Sequence, residues 1–426
     1  MKRFTLTLAL LLLLSSTFAF SRISVVEATG TICIRPDGTV DPPTAPIQRD
    51  GDFYTFTDDI YDSIVVKRDN VVINGDGYAV QGSREYGTRG IDLSFRDNVT
   101  IKNVKVTNSY WGIYLFYSSS VIISGNVVTN NSRGILLYWN SFDNTLSNNT
   151  ITGNEEGVVV EGSWHNTLDR NSIMNNEVGV LLNSASEGVT GDSTLSRNTI
   201  ANNSVGIDSG GGSSDMIYHN NLVDNIRQID GSDITDFWDY GYPSGGNYWS
   251  DYDGTDMKNG LYQNETGSDG IGDTDYIIDA NNRDRYPLMG PFNTFNVGSW
   301  NNVSYYVDIV SNATISDFNF DVSQRLISFN VTGNSSTIGF SRVTINNVLL
   351  GGPYTVWVDT TPITPSITSD GTNSFLYFTC NHSTKNAKII GTTAIPEYQS
   401  IIILPLFMIA TLLAVIVYRR KRLQQA

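Results

Sequence analysis

The densest group of side chains able to do chemistry is acidic. Asp251, Asp253, Asp256, Asp269, Asp273 and Asp275 sit on the segments DYDGTD and GSDGIGDTDY. Hard calcium ions take clustered carboxylates and carbonyls on glycine-rich turns, and Gly270 and Gly272 allow a tight wrap. The spacing is not that of an EF-hand, which would need a glutamate at its twelfth position. Two readings stand: a calcium site, or an acidic capping loop whose carboxylates accept backbone amides. A second group is aromatic: Tyr114, Phe116, Tyr117, Tyr138, Trp139 and Trp164. Rings in a row are platforms for the apolar faces of sugars, and their polar tips can bond hydroxyls. A third group is a basic column, Arg170, Arg197 and His219, with Glu156, Glu161, Asp169 and His165 nearby in sequence. Surface ion pairing is the plain role for such a column.

These residues are placed by a repeat. NNSRGILLY (130–138), NEEGVVVE (154–161), NNEVGVLLN (175–183) and NNSVGID (202–208) are versions of one phrase. Its glycine recurs at Gly90, Gly112, Gly134, Gly157, Gly179 and Gly206, in steps of 22, 22, 23, 22 and 27. A fixed period of this length marks a solenoid. Counted from the glycine, positions +1 and +3 are apolar (Ile113/Leu115, Ile135/Leu137), as are −6 (Val106, Val128, Ile151) and −11 (Ile101, Ile123, Leu146). Even separation of inward residues is a strand period. Each repeat therefore reads as one coil of short strands, with coils stacked in parallel about 4.8 Å apart.

Asparagine recurs at −8 (Asn126, Asn149, Asn171, Asn198, Asn220) and at −3 (Asn131, Asn154, Asn176, Asn203, Asn225). Stacked amides can donate to one coil and accept from the other, and asparagine tolerates a left-handed bend. The glycine at zero is expected to supply a tighter bend of that kind.

The repeat resembles the NosD-like right-handed parallel β-helix family, a pectin-lyase-like solenoid widespread among archaeal surface proteins. GGNYWSDYDGTD and GSDGIGDTDYIIDANNRDRYPLMGPF look like the closing segment of those domains, and residues 48–80 look like their start. The resemblance covers 30–292. It implies β-helix relatives that cleave or epimerise acidic polysaccharides with a base and a carboxylate-neutralising group. The adjacent Asp-Asp pair with partner His and Lys of the pectin hydrolases is missing here, and Asp58-Asp59 lies before the repeats. The family name is tied to copper-enzyme maturation. Yet His165, His219 and His382 are scattered, and neither the six methionines nor the two cysteines cluster. Copper sites need soft or imidazole ligands close together, so copper delivery is not supported.

The ends carry addresses. Residues 1–28 read as a secretory signal peptide: Lys2 and Arg3, then an apolar run. Residues 401–418 are uncharged and of membrane-spanning length, and the basic tail 419–426 places the C-terminus in the cytoplasm. The preceding IPEYQSIIILP resembles the Pro-Glu-Phe tails of archaeal sorting, with Tyr398 in place of Phe. The sequons at Asn98, Asn264, Asn302, Asn312 and Asn381 suit an exported, glycosylated chain. Cys33 and Cys380 are read as unpaired thiols, and a net charge of −16 argues against nucleic acid. Residues 296–393 lose the period and read as alternating strands of a small β-sandwich stalk.

The expectation is an all-β protein: β-helix, β-sandwich and one C-terminal transmembrane helix. It is held on the outer side of the membrane and binds an extracellular glycan without catalysis. The alternatives are a polysaccharide lyase, hydrolase or epimerase, and a purely structural envelope protein.

Overall fold

The computed structural model describes residues 30–183, 191–211, 213–231 and 235–395, with Met408 and Thr411 beyond. The expected signal peptide 1–28, and the expected membrane span and tail apart from those two residues, lie outside the described residues. Among the described residues no helix is long and apolar enough to cross a membrane.

The repeats form a right-handed-type parallel β-helix of about eight turns. Three sheets of ten, ten and eight strands run along it, parallel throughout except for one end strand in each of the ten-stranded sheets. The first sheet holds the longest strands, among them Trp111–Phe116, Arg133–Tyr138, Glu156–Glu161 and Val178–Asn183. The second is built from three-residue strands such as Ile122–Ser124 and Thr145–Ser147, and the third from strands such as Val127–Thr129 and Thr150–Thr152. Neighbouring coils are in register, so Ile113, Ile135, Val158, Val180 and Ile207 form one column. That column and those through Val128 and Ile123 are fully buried, and together they make one continuous core. A strict period thus becomes a stack of like on like, each coil burying the apolar face of the next.

The glycines do something other than the expected bend. None of Gly90, Gly112, Gly134, Gly157, Gly179 and Gly206 has a positive φ. Each instead lies under the next coil: a Cβ on Gly112 would stand 2.4 Å from the Gly134 carbonyl oxygen, and one on Gly134 2.5 Å from that of Gly157. The column is kept free of side chains by close approach of backbone to backbone.

At two corners the left-handed positions lie one residue ahead of the stacked asparagines. They are Asn148, Arg170, Arg197 and His219 at one corner, and Asn130, Gly153, Asn175 and Asn202 at another. The ladder asparagines themselves are buried and saturated. Asn149 Nδ2 donates to Asn171 Oδ1 at 2.9 Å and to the Ile123 carbonyl at 2.8 Å, while its own Oδ1 accepts from Asn126 Nδ2 at 3.0 Å. The ladder runs on from Asn220 to Asn247, and a shorter one joins Asn144 to Asn166.

Antiparallel strands mark the start of the stack. Val40–Asp41 pairs with Ile32–Ile34, and Ile47–Asp50 pairs with Phe53–Phe56.

Beyond the repeats the strands turn antiparallel. Phe292–Trp300 pairs with Val303–Ser311. Residues 292–394 contain two five-stranded antiparallel sheets whose inner side chains form one hydrophobic cluster. Cys380 lies in this unit and Cys33 in the β-helix, both free.

The two units are tied together. Phe292 N donates to Asn221 Oδ1 at 2.7 Å, and Asn221 Nδ2 donates back to the Phe292 carbonyl at 2.9 Å. Arg342, only 2% exposed, donates to the Asp269 carbonyl at 2.7 Å and to that of Pro243.

Candidate functional site: an aromatic outer face

The outer side of the first sheet carries three columns of side chains. Backbone register stacks Trp111 on Arg133 on Glu156, Tyr114 on Leu136 on Val159, and Phe116 on Tyr138 on Glu161. The middle column is buried although it points outward, because Trp111, Phe116 and Tyr138 close over it. Tyr114 is therefore 5% exposed and acts as a floor, not a platform. Its ring stacks on Trp111 at 5.0 Å, and Arg89 lies 4.2 Å over it. Burial pushes its phenol above the usual range.

The exposed rings stand on the corner that follows. Phe95, Tyr117 and Trp139 occupy the same place in successive coils, with φ of 60°, 51° and 37°. They are 60%, 45% and 41% exposed. Phe95 and Tyr117 stack at 5.8 Å, and Tyr138 meets Trp139 edge-on at 6.2 Å. Bulky residues rarely adopt left-handed angles, and such strain persists where its surroundings impose it. In the next coil the position is Gly162, at φ 59°.

The structure thus brings Tyr114, Phe116, Tyr117, Tyr138 and Trp139 onto one face. Trp164 leaves the group and stacks on Phe142 at 5.6 Å. Phe95, Trp111, Arg89 and Arg133 belong to the face but were missed by the sequence reading. The repeat offset gave the signal: Phe95 stands five residues after Gly90, as Tyr117 stands after Gly112.

The charged members are paired. Arg89 Nη1 meets Asp92 Oδ2 at 2.5 Å, and Ser94 Oγ donates to Asp92 at 2.5 Å. Arg133 reaches Glu156 at 2.6 Å and Glu161 at 3.4 Å. Burial raises the Glu156 carboxyl, and Arg133 opposes the shift.

The basic column is elsewhere and covered. Arg170 and Arg197 both pair with Asp169, at 2.8 and 2.7 Å. Tyr306 of the second unit lies under both guanidinium groups, and Phe292 stacks on His219 at 4.3 Å. Burial lowers the His219 imidazole to about 3. These side chains join the two units and do not line a cleft.

The six aspartates are dispersed over main-chain and side-chain partners. Asp256 accepts the amides of Asp269 and Gly270 at 3.0 and 2.8 Å, and burial raises it to about 7. Asp273 accepts those of Met257 and Lys258, and Asp269 that of Ile271. Asp275 pairs with Arg283, and Asp251 accepts from Tyr276 Oη. Among the described residues no three His, Cys, Asp or Glu converge as a metal site. Asp253, the remaining member, is exposed.

A parallel β-helix with an aromatic outer face is the class of protein that these features define. Within it, residues 57–254 match the family model of NosD, described as periplasmic copper-binding protein. The chain also resembles an alginate lyase from Paenibacillus sp. str. FPU-7, at 14% identity over 44% of this chain and 90% of that one, with a TM-score of 0.26. A tailspike protein of E. coli bacteriophage HK620, in complex with hexasaccharide, is 11% identical over 80% of this chain and 72% of that one, TM-score 0.32. The mannuronan C-5 epimerase AlgE6 A-module of Azotobacter vinelandii is 19% identical over 42% of this chain and about half, 52%, of that one, TM-score 0.24. No curated protein matches the chain.

The residues present do not fit copper. His165 stands between Asp143 and Asp192 at 3.7 and 3.6 Å, and His219 is walled in by Phe292. His382 bonds Thr337 in the second unit. No two of these imidazoles share a site.

Proposed function

We propose that this chain is an exported surface protein, tethered through 401–418, whose aromatic outer face binds an extracellular glycan. One observation carries the reading. Three aromatic residues hold a left-handed conformation at a corner where the following coil uses glycine. The strain serves no packing need of the core, since the rings stand largely exposed. It presents a row of rings to solvent, and rings with polar tips suit sugars. The test is a glycan array probed with the detergent-solubilised full chain and with a Tyr117→Ala, Trp139→Ala variant. Binding that the variant loses supports the site; equal binding by both moves the site elsewhere. Absence of binding leaves the structural envelope reading.

A second reading, glycan processing, is favoured by Arg133, which draws Glu156 and Glu161 together beside the rings. Two carboxylates across a sugar are the parts of a hydrolase. Product analysis on any bound polymer separates the two readings: intact chains mean a binder.

A further inference from the structure

We infer that the glycan held on this face is neutral, a sugar polymer without carboxylate or sulfate groups. The inference rests on the glycan-binding reading above and names its substrate class.

An acidic polymer needs cations free to meet it, and Arg forks are suited to that task. Among the described residues the arginines at and around this face are already engaged. Arg89 is held by Asp92, whose position is fixed by Ser94. Arg133 is shared by Glu156 and Glu161. Arg84 pairs with Glu155 at 2.7 Å, and Arg96, next to Phe95, pairs with Asp69 at 3.0 Å. Four arginines thus face five carboxylates among these pairs, a balance of −1. The field of the whole chain, at −16, has the same sign. A carboxylated or sulfated chain approaching the rings would meet repulsion, and would have to displace a resident carboxylate to gain an arginine. A neutral chain needs neither. It meets exposed carbon faces on Phe95, Tyr117 and Trp139, with the Tyr117 hydroxyl and the Trp139 indole N–H at their edges.

The experiment probes the full chain in detergent with mannan, xylan, cellulose oligomers and dextran, beside alginate, polygalacturonate and dextran sulfate. Binding is read at low and at physiological salt. The expected result is at least one neutral polymer bound tenfold or more tighter than any acidic one, with little salt dependence. That binding should vanish in Tyr117→Ala, Trp139→Ala, whose melting midpoint is read alongside to show that it folds. A Glu156→Gln, Glu161→Gln variant, which frees Arg133, should gain affinity for the acidic polymers. Tighter binding of an acidic polymer by the unaltered chain overturns the inference and keeps the binding reading. Failure to bind any polymer overturns both.

Discussion

The carbonyl oxygen of Gly179 lies 2.5 Å from the point where a Cβ on Gly157 would stand. Real Cβ atoms do not approach an oxygen so closely, and the oxygen belongs to backbone fixed by the next coil. Gly157→Ala should therefore destabilise the β-helix by about 1–3 kcal/mol, the cost of overpacking, and Gly157→Val by more. Denaturant melts measure this. An unchanged midpoint for both variants would mean that adjacent coils part without cost.

Asn171 offers a second test of the stack. It accepts from the amide and side chain of Asn149, and donates to the Leu146 carbonyl and to Asn198. Asn171→Leu leaves these buried groups without partners, at about 1–3 kcal/mol for each one orphaned. The expected loss is above about 3 kcal/mol, read from equilibrium unfolding. A loss near that of a surface change would show that water replaces the amide.

At Trp139 conformation and function can be read apart. Its φ of 37° suits glycine better than any L side chain. Trp139→Gly should be more stable than Trp139→Ala by about 1 kcal/mol, since the left-handed penalty falls only on alanine. Both should lose glycan binding. Equal melts for the two would remove the argument that strain is retained there for presentation.

His219 gives the protein a defined acid sensitivity. Burial holds its folded-state pKa at about 3, below the unfolded value near 6.5, and Arg197 and Arg342 lower it further. Its contribution to stability is thus complete above the unfolded pKa and is lost as pH falls from about 6.5 toward 3. Asp215 and Asp256, both raised to about 7, act in the opposite sense over the same range. The readout is therefore a difference. Between pH 7 and pH 4 the change in melting midpoint should be more negative, or less positive, for the unaltered chain than for His219→Asn. Parallel curves would mean that His219 titrates normally.

The union of the two units rests on Arg342, which donates to carbonyls of Pro243 and Asp269 and lies over Phe375 at 5.0 Å. Arg342→Met keeps much of the volume and removes the donors. Calorimetry should then resolve two transitions for the variant and one for the unaltered chain. A single transition in the variant would assign the coupling to the Phe292–Asn221 bonds and the Tyr306 contact instead.

Much of this is legible in the sequence. A period of twenty-two, apolar at fixed offsets, leaves few folds, and Ile113, Val128 and Ile123 point inward as the offsets require. The role of the glycines was not legible. Both a bend and a close approach call for glycine, and only the φ angles and the facing carbonyl distinguish them. Tyr114 was misjudged because an outward residue in a wide sheet can be roofed by its own neighbours. The fate of Arg170, Arg197 and His219 depended on Tyr306 and Phe292, which lie far along the chain. No local pattern announces a partner at that distance.

The antiparallel strands at the start of the stack have a consequence for how copies of the chain coexist. A parallel solenoid ends in a row of unpaired backbone groups that matches its own repeat, and so could seed growth as a fibre does. Val40–Asp41 and Ile47–Asp50 run against the direction of the coils at two of the three sheets. An incoming coil would find the wrong polarity there. Copies of the chain at high density can then stand side by side as separate particles, because the growth rule of each stack is written out at its first turn.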